Sequence, residues 1–145
     1  MTNENRFEFA VGAFLIRFGL GLLFFVAGLG KFLKGAAGVS AGIVTMFKET
    51  WLPFFMIEPY AYVLPYLELA IGVLLLLGLF RLLALTVGGL LMLSLAFGML
   101  VAGQGDVAAH NLIDVMLFAA ALFTSPWDRI KLDSLLFRGK VPHAG

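Results

Sequence analysis

The sequence contains no cysteine, which excludes disulfide bonds, thiolate-bound metal clusters and thiol catalysis within the chain. Charged residues are also scarce, at 13% of the 145 residues, whereas soluble domains average about 25%. The net charge of +1 gives no indication of nucleic-acid binding. Only two histidines occur, and His143 lies in a polar tail, so haem ligation by two histidines across a bundle is excluded.

Apolar residues dominate what is present. They make up 61% of the sequence, and the mean hydropathy is +1.01, whereas soluble domains average about 45–50% apolar residues. The 17 glycines fit a membrane protein, because small residues let membrane helices approach closely. The composition therefore predicts an integral membrane protein.

Four apolar runs are long enough to cross a bilayer, which requires about 20 residues each. They cover about residues 9–33, 60–80, 82–101 and 107–124. These runs predict an all-α membrane protein with a bundle of four transmembrane helices. We expect a single domain over residues 1–145, with a cytoplasmic tail at 125–145.

The long loop between the first two runs has a helical pattern of its own. Apolar residues recur at helical spacing in Val39, Ile43, Phe47 and Trp51. This pattern predicts a short amphipathic helix on the membrane surface. We expect Pro53 and Pro59 to bound an irregular segment before the second span.

Basic residues favour one orientation of the four spans. An even number of spans places both termini on one side, which would hold Arg6, Arg81, Arg129, Lys131, Arg138 and Lys140. The opposite side would hold Lys31, Lys34 and Lys48. The positive-inside rule therefore predicts cytoplasmic termini and an outward-facing first loop.

Several ionisable residues lie inside the predicted spans. Arg17 is in the first, Glu68 in the second and Asp114 in the fourth. Because such groups cost about 2.5–3.5 kcal/mol on insertion scales, they normally face the protein interior and have partners. Counted along the helices, their depths differ by only a few ångströms, which an arginine side chain can span.

Each of these residues belongs to a helix face that carries neighbours at steps of three or four. The faces are Arg17, Gly21, Phe24, Gly28 and Lys31 on the first helix; Pro65, Glu68, Gly72 and Leu75 on the second; and Asp106, His110, Asp114 and Leu117 on the fourth. They predict one buried polar cluster of Arg17, Lys31, Glu68, His110, Asn111 and Asp114, with Asp106 at its outer mouth.

A purely structural role is the alternative for this cluster, since buried charges can fix helix register. For Arg17 and Glu68, a structural role and a functional role fit the sequence equally well. For His110 and Asp114, the sequence favours a functional role. A structural pair needs only one acid, and histidine titrates near neutrality. A metal would need a further ligand, such as Glu68, beyond the groups on the fourth helix, so no metal site is predicted.

Several segments together resemble the DoxX family of small membrane proteins. The first span, "IRFGLGLLFFVAGLGKF", has an arginine, glycines and a Gly-x-x-Lys ending. The stretch "YLELAIGVLLLLGLFRLLALTVGGLLML" is similar to the family's second and third spans, and "HNLIDVMLFAAALF" to its fourth. "SPWDRIKLD" resembles the family's tail motif, although Trp127, Asp128 and Lys131 depart from it.

The resemblance implies a four-helix bundle in a bacterial or archaeal cytoplasmic membrane and an association with redox metabolism. One branch of the family is the small subunit of thiosulfate:quinone oxidoreductase. Carried over position by position, the resemblance supports Arg17, Lys31, Glu68, Gly72, Asn111, Pro126, Arg129 and Asp133.

The expected function is that of a small integral subunit in a larger, quinone-linked redox complex. It would anchor a partner and contribute a proton or quinone site, without being catalytic alone. A quinone is the cofactor to expect, with none bound covalently. The expected partners are membrane lipid and other subunits of the complex, not nucleic acid, and a homo-oligomer is left open.

Two alternatives come from other classes. A purely structural or assembly subunit would use its buried charges only to specify packing. A small-molecule carrier ranks last, because four spans without an internal repeat are poorly suited to alternating access.

Overall fold

The computed structural model describes residues 3–127, and its regular structure in that range is helical. The helices are α1 (Asn3–Leu33), α2 (Ala36–Phe47), α3 (Phe54–Leu77), α4 (Arg81–Val101) and α5 (Gly105–Thr124), followed by a 3₁₀ turn at Ser125–Trp127. Four segments are long and apolar enough to cross a membrane: Phe7–Leu33, α3, α4 and α5. The predicted all-α architecture of four spans, with a short helix in the first loop, is confirmed.

The α3 helix begins at Phe54 rather than near Tyr60. Pro53, in an extended conformation, precedes its first residue, and Pro59 lies inside the helix. The expectation that Pro59 bounds an irregular segment is therefore wrong, because membrane helices tolerate internal prolines whose lost hydrogen bond is compensated locally. The helix ends at Gly78, whose positive φ of 67° lets its N–H bond back to the last turn.

The α2 helix is shorter than the apolar pattern indicated. It ends at Phe47, where the Thr50 hydroxyl and backbone N–H both bond to the Phe47 carbonyl and close a turn. Trp51 lies beyond that turn and is exposed. The α2 helix packs against the first half of α3 and covers part of the bundle, and this packing buries Ser40 and Phe47.

The four spans form a ring in which α1 contacts α3 and α5, while α4 contacts α3 and α5. Phe24 of α1 and Phe118 of α5 meet edge to face in the core, with ring centroids 5.1 Å apart. The Phe118 ring lies against Gly88 of α4, where an added Cβ would be 2.5 Å from the ring. The middle of the bundle is therefore filled by closely packed side chains, which lie between its two ends.

Candidate functional site

The α1 and α3 helices pack with almost no side chain between their backbones. A Cβ added to Gly28 would lie 2.5 Å from the backbone nitrogen of Leu69. A Cβ on Gly72 would overlap the backbone of Phe25 in the same way. The helix faces predicted from sequence therefore do meet, and glycines set how closely they meet.

This close approach joins Lys31 of α1 to Glu68 of α3. The Nζ of Lys31 donates to Oε1 of Glu68 at 2.6 Å and to Oε2 at 2.7 Å. Glu68 is 3% exposed, whereas the Lys31 side chain is 34% exposed and lies near the end of α1. The result is an ion pair whose acid is buried and whose base reaches in from the edge.

Two polar residues of α5 face the same space. A cavity of about 220 Å³ lies between α1, α3, α4 and α5, and its polar lining consists of Lys31, Glu68, Asn111 and Asp114. Apolar side chains, among them Phe24, Met92, Leu95 and Met99, form the rest of its wall. We call this cavity the polar pocket.

Asp114 differs from the other acid in the polar pocket. It is only 7% exposed, yet its carboxylate makes no hydrogen bond or ion pair within the described range of residues 3–127. Glu68 already shares its charge with Lys31. The polar pocket therefore contains one paired carboxylate and one that is available to a ligand or a proton.

Arg17 does not lie with these residues. Its guanidinium donates to the carbonyl of Leu75 near the end of α3, and it lies 5.5 Å from the centre of the Phe14 ring. At about 1.5 Å per residue, Arg17 and Lys31 are about 21 Å apart along α1, which is beyond the reach of one side chain. The expectation that Arg17 meets the carboxylates is corrected accordingly.

His110 is exposed and does not line the polar pocket, in contrast to the expectation. Asp106, which was expected only at the mouth, is also exposed and is not among the lining residues. The inward face of α5 contains Ala108, Asn111, Asp114, Phe118 and Ala121. At about 100° per residue, Asn111 and Phe118 both lie to one side of Asp114 around the helix, by about 60° and 40°. His110 lies about 40° to the other side, and it is exposed there.

A second polar contact was not foreseen from the sequence. The hydroxyls of Tyr60 on α3 and Ser94 on α4 lie 2.6 Å apart, at the wall of another cavity. Nothing in the spacing of the two residues signals this contact, since it depends on how α3 and α4 pack.

A metal site receives no support from the described part of the chain, because residues 3–127 bring together no group of three or more potential ligands. Two of the tail positions that the family resemblance supported, Arg129 and Asp133, lie outside the described residues. Pro126 lies just after α5 and is exposed.

The family model of the methylamine utilisation protein MauE matches residues 10–109 of the chain. This match covers α1 from residue 10 onward, α2 to α4 and the first turn of α5, so it includes Lys31 and Glu68 but ends before Asn111 and Asp114. No curated protein and no solved structure matches the chain.

The expected membership of the DoxX family is wrong, because the matching family is a different one of small membrane proteins. The features that suggested it were an arginine and glycines in the first span and a glutamate that opens a Glu-x-x-x-Gly pattern within the second. The structure shows these residues at helix contacts, where many small bundles would need them. By the match over most of its length, the chain belongs to the family of the methylamine utilisation protein MauE.

Proposed function

We propose that this multi-pass membrane protein is a small subunit of a larger redox complex, in which the polar pocket binds a quinone head group and its proton. The observation that carries the proposal is the Asp114 carboxylate, which is buried in the pocket without a hydrogen-bonding partner in the described residues.

A role in packing alone does not account for Asp114. The ion pair between Lys31 and Glu68 is complete without it, and Lys31 uses two of its three N–H donors on Glu68. A second buried carboxylate adds a cost in a membrane unless something satisfies it. That requirement is met if the pocket takes up a proton or a ligand with hydrogen-bonding groups.

The pocket chemistry suits a quinone ring. The ring needs donors for its carbonyl oxygens, and the third N–H of Lys31, the amide of Asn111 and a protonated Asp114 are available in one cavity. The apolar wall formed by Phe24, Leu95 and other side chains suits the faces of the ring. When electrons from a partner subunit reduce the quinone, Asp114 would supply one of the two protons that the quinol carries, the other coming from solvent.

The composition argues for a partner that supplies the electrons. The chain has no cysteine, and its described residues bring together no group of three or more potential metal ligands. Such a chain needs a redox centre on another subunit to exchange electrons with a quinone. The family to which it belongs is described by a role in methylamine utilisation, and we propose that process as the setting of the complex.

The contacts of Arg17 support a structural role for this residue. It is 2% exposed and donates to a backbone carbonyl of α3, which is a contact that holds two helices together. We therefore assign Arg17 to the assembly of the bundle rather than to the polar pocket.

The proposed orientation places both termini in the cytoplasm and α2 on the outer side. The excess of basic residues on the terminal side supports it. The polar pocket lies toward the α2 end of the bundle, so its ligand would be reached from the outer leaflet.

The test is native purification of three tagged proteins: the wild type, Asp114→Leu and the control Asp106→Leu. Leucine has nearly the shape of aspartic acid but no hydrogen-bonding group. Partner proteins and extracted quinone are quantified by mass spectrometry. We expect the wild type to carry a stoichiometric partner and quinone, and Asp114→Leu to keep the partner but lose quinone by about tenfold. That factor corresponds to one lost hydrogen bond to a buried polar group.

Asp106 is exposed on the same helix. The control therefore shows whether quinone is lost because the pocket carboxylate is removed or because any acidic residue of α5 is removed. Asp106→Leu should keep both partner and quinone. Loss of the partner together with the quinone in Asp114→Leu would instead support a purely structural subunit. A wild type with a partner but without quinone would remove the quinone from the proposal.

A further inference from the structure

A second cavity lies beside the polar pocket, between α2, α3 and α4. Its volume is about 300 Å³, and its lining includes Ile43 and Phe47 of α2, Met56 and Leu64 of α3, and Phe97 of α4. We call this cavity the apolar chamber. Nothing in the proposed function so far uses it.

The apolar chamber and the polar pocket share a wall. Leu95 and Met99 of α4 line both cavities. The two residues are four positions apart, so they lie one above the other on the same helix face. Methionine is unbranched and changes rotamer easily, so this wall can adapt to a molecule that crosses it.

The polar groups at the chamber wall leave no hydroxyl proton free for a ligand. Ser94 donates its single hydroxyl proton to the carbonyl of Leu91, at 2.7 Å. In the contact between Ser94 and Tyr60, the tyrosine must then be the donor. The chamber therefore offers its occupant an apolar surface, which suits a hydrocarbon chain and not a polar head.

The chamber is also open toward the surrounding lipid. Met56, Phe97 and Tyr60 line it while remaining partly exposed on the surface of the bundle, at 57%, 53% and 37%. A molecule dissolved in the bilayer can therefore enter sideways between α3 and α4. A water-soluble molecule would have to cross this apolar opening.

We infer that one amphiphilic ligand occupies both cavities, an isoprenoid quinone with its head in the polar pocket and its chain in the apolar chamber. The inference rests on the proposed function for the head group and adds the site of the chain. Because lipid is as apolar as the chamber, the chain gains little free energy by moving between them. The chamber instead fixes where the chain leaves the head, and so orients the ring toward Asp114.

The experiment compares two probes that share a benzoquinone head, one without a chain and one with a decyl chain. Their affinities for the purified full-length protein in detergent micelles are measured by equilibrium dialysis. Met56→Trp fills the chamber from α3, and Ser94→Phe fills it from α4. Met116→Trp is the control, because Met116 is 72% exposed on α5 and lines neither cavity.

We expect each filled chamber to weaken the decyl probe by about tenfold, because the chain must then leave the head by another route, which turns the ring away from Asp114 and loses about one hydrogen bond. The chainless probe should bind within twofold of the wild type, and Met116→Trp should change neither affinity. If Met56→Trp and Ser94→Phe each changed the affinity of the decyl probe and the chainless probe by the same factor, the inference about the chain would be overturned. The proposal that the polar pocket binds the head group would stand.

Two further outcomes also decide the question. In the first, neither filling variant changes the affinity of the decyl probe, and native mass spectrometry shows a bound phospholipid that is lost only when the chamber is filled. This result would overturn the inference in favour of a bound lipid. Absence of binding of either probe to the wild type would overturn the proposed quinone head-group site, and the inference with it.

Discussion

The two faces of α3 show how differently one membrane bundle treats its charges. Toward α1, the helices close on each other through Gly28 and Gly72, and the acid of that contact is paired with Lys31. Toward α5, the packing leaves a cavity that Asp114 faces without a hydrogen-bonding partner in the described residues. The α1–α3 contact is closed and satisfied, whereas the α5 side is open and unsatisfied.

This difference separates structural charge from functional charge. A buried charge that is fully paired can contribute specificity of packing, and replacement by apolar groups is often tolerated. A buried acid that faces a partly polar cavity has a cost that a ligand or proton must offset. Changes at the glycines of the α1–α3 contact should therefore affect stability, whereas a change at Asp114 should affect binding.

The largest effect on this comparison is expected from Gly28→Ala. The added Cβ would lie 2.5 Å from a backbone nitrogen of Leu69, and backbone cannot move aside cheaply. We expect a loss of about 1–3 kcal/mol in the free energy of unfolding, the usual cost of overpacking. Unfolding in mixed micelles with increasing denaturing detergent measures it.

Gly30→Ala is the matched control, since it lies on the same helix with nothing within 4 Å of an added Cβ. There, alanine should be neutral or stabilise by up to about 1 kcal/mol, because it favours helix over glycine. Equal stability of the two variants would show that α1 and α3 are not in close backbone contact.

An intermediate effect is expected from breaking the ion pair in a double-mutant cycle of Lys31→Gln and Glu68→Gln. Each single change leaves one charge without its partner, so the double variant should be less destabilised than the sum of the two. Because Lys31 is 34% exposed, we expect a coupling energy of about 1 kcal/mol, near the top of the range for exposed pairs. The same unfolding assay measures it.

The control cycle replaces Lys31→Gln with Lys34→Gln, a change one turn further along at an exposed position beyond α1. Its coupling to Glu68→Gln should be close to zero. Comparable coupling in the two cycles would mean that Glu68 senses only the general charge of this end of the bundle.

The closed side of α3 was largely predictable from the sequence. Gly21, Gly28 and Gly72 recur at helical steps beside Lys31 and Glu68, and lipid forces such runs to be helical. Once two helices are antiparallel, residues at matching depth must meet. The spacing therefore predicted that these faces of α1 and α3 contact each other. It also predicted that Lys31 and Glu68 lie at that contact.

The open side of the bundle was not predictable to the same degree. Whether His110 or Asn111 joins Asp114 depends on a helix rotation of about one residue, which a four-residue spacing does not resolve. The Tyr60–Ser94 contact depends on the packing of α3 on α4, which has no signature in the sequence. Arg17 was misplaced because its depth was misjudged: it does face α3, but it bonds to the carbonyl of Leu75, seven residues along that helix from Glu68.

The smallest effect is expected from His110→Ala, and it tests the rotation of α5 directly. His110 is exposed, near the start of the helix, whereas Asn111 lines the polar pocket. We expect unfolding to change by no more than about 0.5 kcal/mol, the usual range for surface substitutions. Affinity for the chainless benzoquinone probe, measured by equilibrium dialysis, should stay within twofold, whereas Asn111→Ala should weaken it severalfold. A tenfold loss in His110→Ala with Asn111→Ala unaffected would mean that α5 presents the opposite flank to the pocket, and that the open side is built around the histidine.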